Sequence, residues 1–137
     1  MDIGLLTIHE VENETGISAY TIRYYDKCGF FKTIARTTQG RRRFSQSDVD
    51  RLLLIDALKK SGLSIDGLKT IAPKLDDPVY RQEIMTILDQ RLSVLDIQME
   101  DLSNCQKRIG KFLSDLAFQS RDESISTESG SSSGLEI

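Results

Sequence analysis

The stretch "SAYTIRYYDKCGFF", residues 18–31, followed by "GRRRF", residues 40–44, decides how this chain reads. Between Tyr20 and Arg43 stand seven basic side chains, Arg23, Lys27, Lys32, Arg36, Arg41, Arg42 and Arg43, against a single acid, Asp26. The whole chain of 137 residues nevertheless carries a formal net charge of −3. A compact basic patch on an acidic body is the footprint of a phosphate-binding surface rather than of a generally adhesive protein.

Upstream of that stretch, Thr7 and Glu10 have the spacing of a capping box and open a short helix through Thr15 that Gly16 stops. Ile17 points inward and Ser18 caps a second helix. Helix, tight glycine turn and helix together make a helix-turn-helix, whose second helix is the reading one. At 100° per residue that helix places Tyr20, Arg23, Tyr24 and Lys27 on one face, with Ile22, Tyr25 and Gly29 opposite. Tyr25 is then a packing residue, while the Tyr24 hydroxyl beside Arg23 meets a phosphate. The competing reading buries both tyrosines in the core.

Downstream, "FFKTIARTTQGRRRF" is rich in β-branched and turn residues, with "TQG" at the tip of a two-stranded ribbon and Gly40 at its bend. This reads as a wing, and a basic ribbon beside a recognition helix can straddle a DNA backbone or enter the minor groove. A merely solvated charge run is the alternative for Arg41, Arg42 and Arg43. Ser47 is expected to cap a third helix whose Val49, Leu52, Leu53, Ile55 and Leu58 cover the core, ended by Gly62. Ser64 caps a shorter fourth helix closed before Pro73. Lys59 and Lys60 at the junction supply either a weaker phosphate contact or ordinary surface charge.

From Arg81 to Phe118 the pattern is a heptad repeat. Positions a (Met85, Leu92, Met99, Gln106, Leu113) and d (Leu88, Leu95, Leu102, Ile109, Leu116) are apolar except at Gln106, a polar seam residue that sets register. Such a helix, about 57 Å long at 1.5 Å per residue, is too long to fold back on so small a domain. It must bury its stripe against a partner, most economically a second copy. The expected organisation is a DNA-binding head over residues 1–75, a dimerisation helix over 76–118 and a Ser-rich disordered tail over 119–137.

Other classes are excluded by what the chain lacks. One histidine, His9, and no Gly-rich phosphate loop leave no enzyme chemistry, and no cofactor is implied. Cys28 and Cys105 are far apart, so neither a disulfide framework nor a metal site is expected. No apolar run spans a membrane, and the start "MDIGLLTIHEVENE" has no basic region before a hydrophobic one, so a cytoplasmic protein is expected.

The order of parts resembles the MerR family of bacterial transcription regulators. "TGISAYTIRYYDKCGFF", "GRRRFS", "DVDRLLLIDALKKSGLSIDGLK" and the terminal heptads carry the likeness across residues 5–118. It implies a mostly α fold: a winged helix-turn-helix head with a small β wing, plus a long C-terminal helix forming an antiparallel coiled coil. It implies a homodimer whose heads read the half-sites of a palindromic promoter operator in double-stranded DNA. RNA polymerase shares that promoter, and an effector or signal of unknown nature makes the protein bend and untwist the DNA. Arg23 reads or flanks bases, and Tyr24 and Arg42 hold phosphates. Ser18, Tyr20, Thr21, Lys27, Arg41, Arg43 and Lys60 complete the expected interface. Arg41 stands where many members carry an aromatic, and the paired C-terminal cysteines of metal-sensing members are absent.

Two alternatives use the same parts: a DNA-binding accessory factor in recombination, and a coiled-coil adaptor whose basic patch meets an acidic protein. Cys105, at a g position beside the seam, is a candidate sensor thiol or an inert cysteine.

Overall fold

The computed structural model describes residues 4–126, with side chains to residue 123. The elements are helices α1 (Ile8–Thr15) and α2 (Ala19–Lys27), strands β1 (Ala35–Arg36) and β2 (Arg42–Arg43), then helices α3 (Gln46–Lys60), α4 (Ile65–Ile71) and α5 (Arg81–Ser126). Short 3₁₀ turns at Ala72–Lys74 and Pro78–Tyr80 connect α4 to α5.

Each head helix starts on a side chain that replaces the missing backbone acceptor of its first turn. Thr7 accepts from the Glu10 N–H at 3.1 Å while the Glu10 carboxylate accepts from the Thr7 N–H at 2.9 Å. Ser18 accepts from the Thr21 N–H at 3.1 Å and Ser64 from the Gly67 N–H at 3.0 Å. The cap of α3 is Ser45, not Ser47: Ser45 accepts from the Asp48 N–H at 3.1 Å, and the Asp48 carboxylate returns the bond at 2.9 Å. Both serines are followed three residues on by an aspartate, so local spacing alone does not separate them. Phe44 decides. It is fully buried and pairs with Leu6 through two 2.8 Å backbone bonds, which fixes the extended segment that must end at Ser45.

Gly16 ends α1 at φ 75°, a left-handed conformation open to glycine, and its N–H bonds the Glu12 carbonyl at 2.8 Å. The turn to α2 is tied by Glu12, whose carboxylate accepts from the Ala19 N–H at 2.8 Å. The wing pairs antiparallel, Ala35 with Arg43 and Arg36 with Arg42. Its turn closes with the Gly40 N–H bonded to Thr37 O at 2.9 Å and Gly40 at φ 83°.

One apolar cluster organises the head. Val11, Ile22, Phe30, Phe44, Leu52, Ile55 and Leu68 are its most enclosed large side chains. Tyr25 packs on Phe30 with ring centroids 5.6 Å apart, and Phe31 meets Phe44 edge-on at 6.1 Å. Leu53, expected to cover this core, is instead 45% exposed. On α3 the period carries Val49, Leu52, Ile55 and Leu58 inward and turns Leu53 away.

The compact units are Met1–Val94 and Leu95–Ile137, so the first extends beyond the expected boundary at residue 75. The reason lies in the first turns of α5: Ile84 is buried, and Leu88 packs against the head cluster. Leu88, expected as a dimerisation residue, is therefore already engaged within the chain. Helix α5 also runs to Ser126, past the expected end at Phe118. "QSRDES" holds neither proline nor glycine, and nothing there stops a helix already formed. The remainder of the expected disordered tail lies outside the described residues.

Candidate nucleic-acid interface

Because Ala19, Ile22 and Tyr25 face the core, α2 has no choice about which side it turns outward. Tyr20 is 80% exposed, Tyr24 44%, and Arg23 and Lys27 are exposed. The two adjacent tyrosines divide as the period dictates. Tyr25 is buried, and its hydroxyl donates to Asp56 Oδ1 at 3.4 Å. Burial first, then the Asp56 carboxylate, pushes the Tyr25 phenol above its ordinary value. The Tyr24 phenol is also raised, chiefly by a hydrogen bond with the Cys28 thiol one turn on.

The exposed cations converge with the wing. Thr7, Ile8 and His9 at the start of α1, Arg23 of α2, and Gly40 with Arg41, Arg42 and Arg43 of the wing line a cleft of about 550 Å³. Among the described residues, Arg23, Lys27, Arg41 and Arg43 form no ion pair, so their charges stay available to an anionic partner. Glu10 of α1 stays ionised below the usual carboxylate range, held first by its hydrogen bonds with Thr7 and more weakly by Arg43.

Other expected contacts are already occupied within the chain. Ser18 Oγ caps α2 and donates to Thr21 Oγ1 at 2.9 Å, so these two hydroxyls serve the turn. Lys60 pairs with Asp56 at 2.8 Å, yet its side chain remains 75% exposed. Arg42, expected to hold a phosphate, is only 20% exposed and donates through Nε to Asp26 Oδ2 at 2.7 Å. Sequence spacing gave no sign of that pairing, which spans 16 residues; the lone acid in the basic stretch was the available clue.

Asp26 is one residue whose cross-link the sequence spacing does not reveal, and Arg51 is another. The Arg51 guanidinium donates to Phe30 O at 2.8 Å and Ala72 O at 2.7 Å and pairs with Asp76. It joins the segment leading into the wing to α3 and to the turn after α4.

On α5, Leu92, Met99, Leu102, Ile109 and Leu113 are each more than 60% exposed, and Leu116 is 46% exposed. Leu95 is half-buried, and Gln106 and Cys105 are exposed. Among the described residues, no three His, Cys, Asp or Glu side chains are grouped to hold a metal ion, and no helix is long and apolar enough to cross a membrane.

Residues 6–75, over half the chain, match the MerR HTH family regulatory protein domain. The chain belongs to the MerR family. It is a transcriptional regulator of that family, with a winged helix-turn-helix head and a long C-terminal helix. An HTH-type transcriptional regulator of Haemophilus influenzae is 33% identical over 103 residues, 73% of this chain and 69% of the relative. The regulator YyaN of Bacillus subtilis is 25% identical over 116 residues, 80% of this chain and 84% of the relative. Among solved structures, HiNmlR, a MerR family regulator lacking the sensor domain and bound to promoter DNA, superposes with a TM-score of 0.74. It is 28% identical and the match covers 88% of this chain and 90% of that one.

Proposed function

We propose that this MerR-family regulator binds a palindromic promoter operator as a homodimer and distorts the DNA it holds. The cleft carries the reading: Arg23, Arg41 and Arg43 line it and, with Lys27 of α2, form no ion pair among the described residues, while Tyr20 and Tyr24 stand exposed on the same helix as Arg23. Cations free of carboxylate partners among the described residues, on a head that also exposes aromatic hydroxyls, suit a polyanion whose phosphates are regularly spaced. The likeness to HiNmlR, described bound to promoter DNA, supports the same use of this head.

The homodimer follows from α5. Leu92, Met99, Leu102, Ile109, Leu113 and Leu116 expose an apolar stripe at heptad spacing that a second copy covers as an antiparallel coiled coil. Because Leu88 serves the head, the seam begins at Leu92. Two heads then occupy two half-sites, and their joint phosphate contacts offset a DNA deformation costing on the order of a few kcal/mol. RNA polymerase is the partner at the promoter, and the bacterial cytoplasm is the place of action.

Incubating the purified protein with a randomised duplex pool and sequencing the retained DNA tests this. A palindromic consensus is expected, bound with an affinity that falls steeply with salt. Retention of no preferred sequence would overturn sequence-specific binding.

A further inference from the structure

Asp26 is the single acid of the basic stretch, and the helix itself gives no reason for it. It lies in the last turn of α2, where a carboxylate faces the negative end of the helix dipole. Its Oδ2 instead receives Arg42 Nε of β2 at 2.7 Å and Arg36 Nη2 of β1 at 3.4 Å. Asp26 and Arg42 are each 20% exposed and Arg36 is 47% exposed, so Arg42 is held closely and Arg36 more loosely. Arg36 also donates through Nη1 to the Gly40 carbonyl in the wing's turn at 3.0 Å. One carboxylate on the outward helix thus reaches both strands of the wing and, through Arg36, its tip.

The wing has little else to hold it. Each strand has two residues, and a two-stranded ribbon of that size is marginal by itself in water. Backbone pairing of Phe44 with Leu6 secures its base. Above the base, among the described residues, the side-chain hydrogen bonds from the wing to α2 are those made by Asp26.

We propose that Asp26 is a positioning residue for sequence discrimination: it withdraws Arg42 from indiscriminate phosphate binding and fixes the wing against α2, so that helix and wing meet DNA at one spacing. This rests on the DNA-binding reading given above. Loose cationic arms hold any duplex, because phosphates occur everywhere along it. Cations held at a set distance from the reading helix bind well only where groove width and backbone path match that distance. Asp26 therefore lowers affinity for arbitrary DNA and raises the ratio between operator and arbitrary DNA.

The test compares a palindrome enriched by the parent protein with a scrambled duplex of equal length and composition. Asp26→Asn keeps the shape and removes the charge. Affinity for the scrambled duplex is expected to rise roughly threefold, and its salt slope to steepen by about 1, the value of one added phosphate contact. The operator-to-scrambled ratio is expected to fall about tenfold, the size of one lost discriminating contact. Asp26→Glu keeps a carboxylate within reach and is expected to restore the parental slope. A lowered folded fraction scales both affinities alike, so the ratio stays readable even if the Asn variant is less stable. An unchanged ratio in Asp26→Asn, or a Glu variant indistinguishable from it, overturns the proposal. A parent that enriches no sequence fails the DNA-binding reading and this proposal with it; a discriminating parent with an equally discriminating Asn variant fails this proposal alone.

Discussion

Replacing Arg51 with Met removes the guanidinium while keeping most of the aliphatic stem. In the parent, the Arg51 side chain is 13% exposed and donates to Phe30 O and Ala72 O at 2.8 and 2.7 Å. Each such bond from a charged donor contributes about 1.5–3 kcal/mol net. The pair with Asp76 adds little, about 0–1 kcal/mol, since that carboxylate is 44% exposed and screened by water. The expected loss is therefore about 3–7 kcal/mol, with the lower end favoured if water reaches either carbonyl. For a domain of this size that lowers the thermal midpoint by on the order of 15 °C. Tyrosine fluorescence during urea and thermal unfolding is the right probe, because all four tyrosines, at 20, 24, 25 and 80, lie within Met1–Val94. Protein concentration must be fixed, since the proposed homodimer would make the midpoint depend on it. Arg51→Lys restores a charge but not a fork that spans two carbonyls, and is expected to recover less than half the loss. A destabilisation below about 1 kcal/mol in Arg51→Met would refute the idea that this side chain staples the wing segment to the turn after α4.

Arg23→Ala should weaken duplex binding by roughly 1–3 kcal/mol with an unchanged thermal midpoint, whereas Arg42→Ala should lower the midpoint because it leaves Asp26 with the looser Arg36 alone; equal midpoints would contradict a stabilising pair. Leu102→Asp, which puts a charge in the middle of the exposed stripe, should give a monomer by sedimentation that no longer binds a full palindrome, and a dimer would place the interface elsewhere. Tyr25→Phe addresses pH. The folded phenol is raised above its ordinary value of 10, so the stability it contributes is fully present below pH 10 and is lost as pH rises through the folded pKa. The variant should therefore unfold less steeply above pH 10, and parallel profiles would show that another group governs alkaline unfolding.

What could be read in the sequence was what is decided locally. Thr7, Ser18 and Ser64 each bond an N–H three residues away, so their positions follow from short spacing, as do Gly16 and Gly40 from the turns they close. The division between Tyr24 and Tyr25 needed only the helical period. The features that spacing does not show depend on distant partners. Ser45 prevails over Ser47 because Phe44 is anchored to Leu6, and Arg42 turns inward because Asp26 waits across the wing. Leu88 fits the heptad as well as any seam leucine, but the head claims it. A periodic pattern shows that a face is apolar without saying what covers it.

Helix α2 keeps its two duties on separate residues. Ala19, Ile22 and Tyr25 hold it in place, while Tyr20, Arg23 and Lys27 face outward and Tyr24 is half-turned onto Tyr25. Variation at the outward positions can therefore accumulate one substitution at a time, each intermediate still folding, and a lineage can drift from one operator to another without crossing an unfolded ancestor. Asp26 is the exception on the same helix. A change there alters the wing's attachment as well as the local charge, so target and scaffold must change together, and that position should resist drift longest.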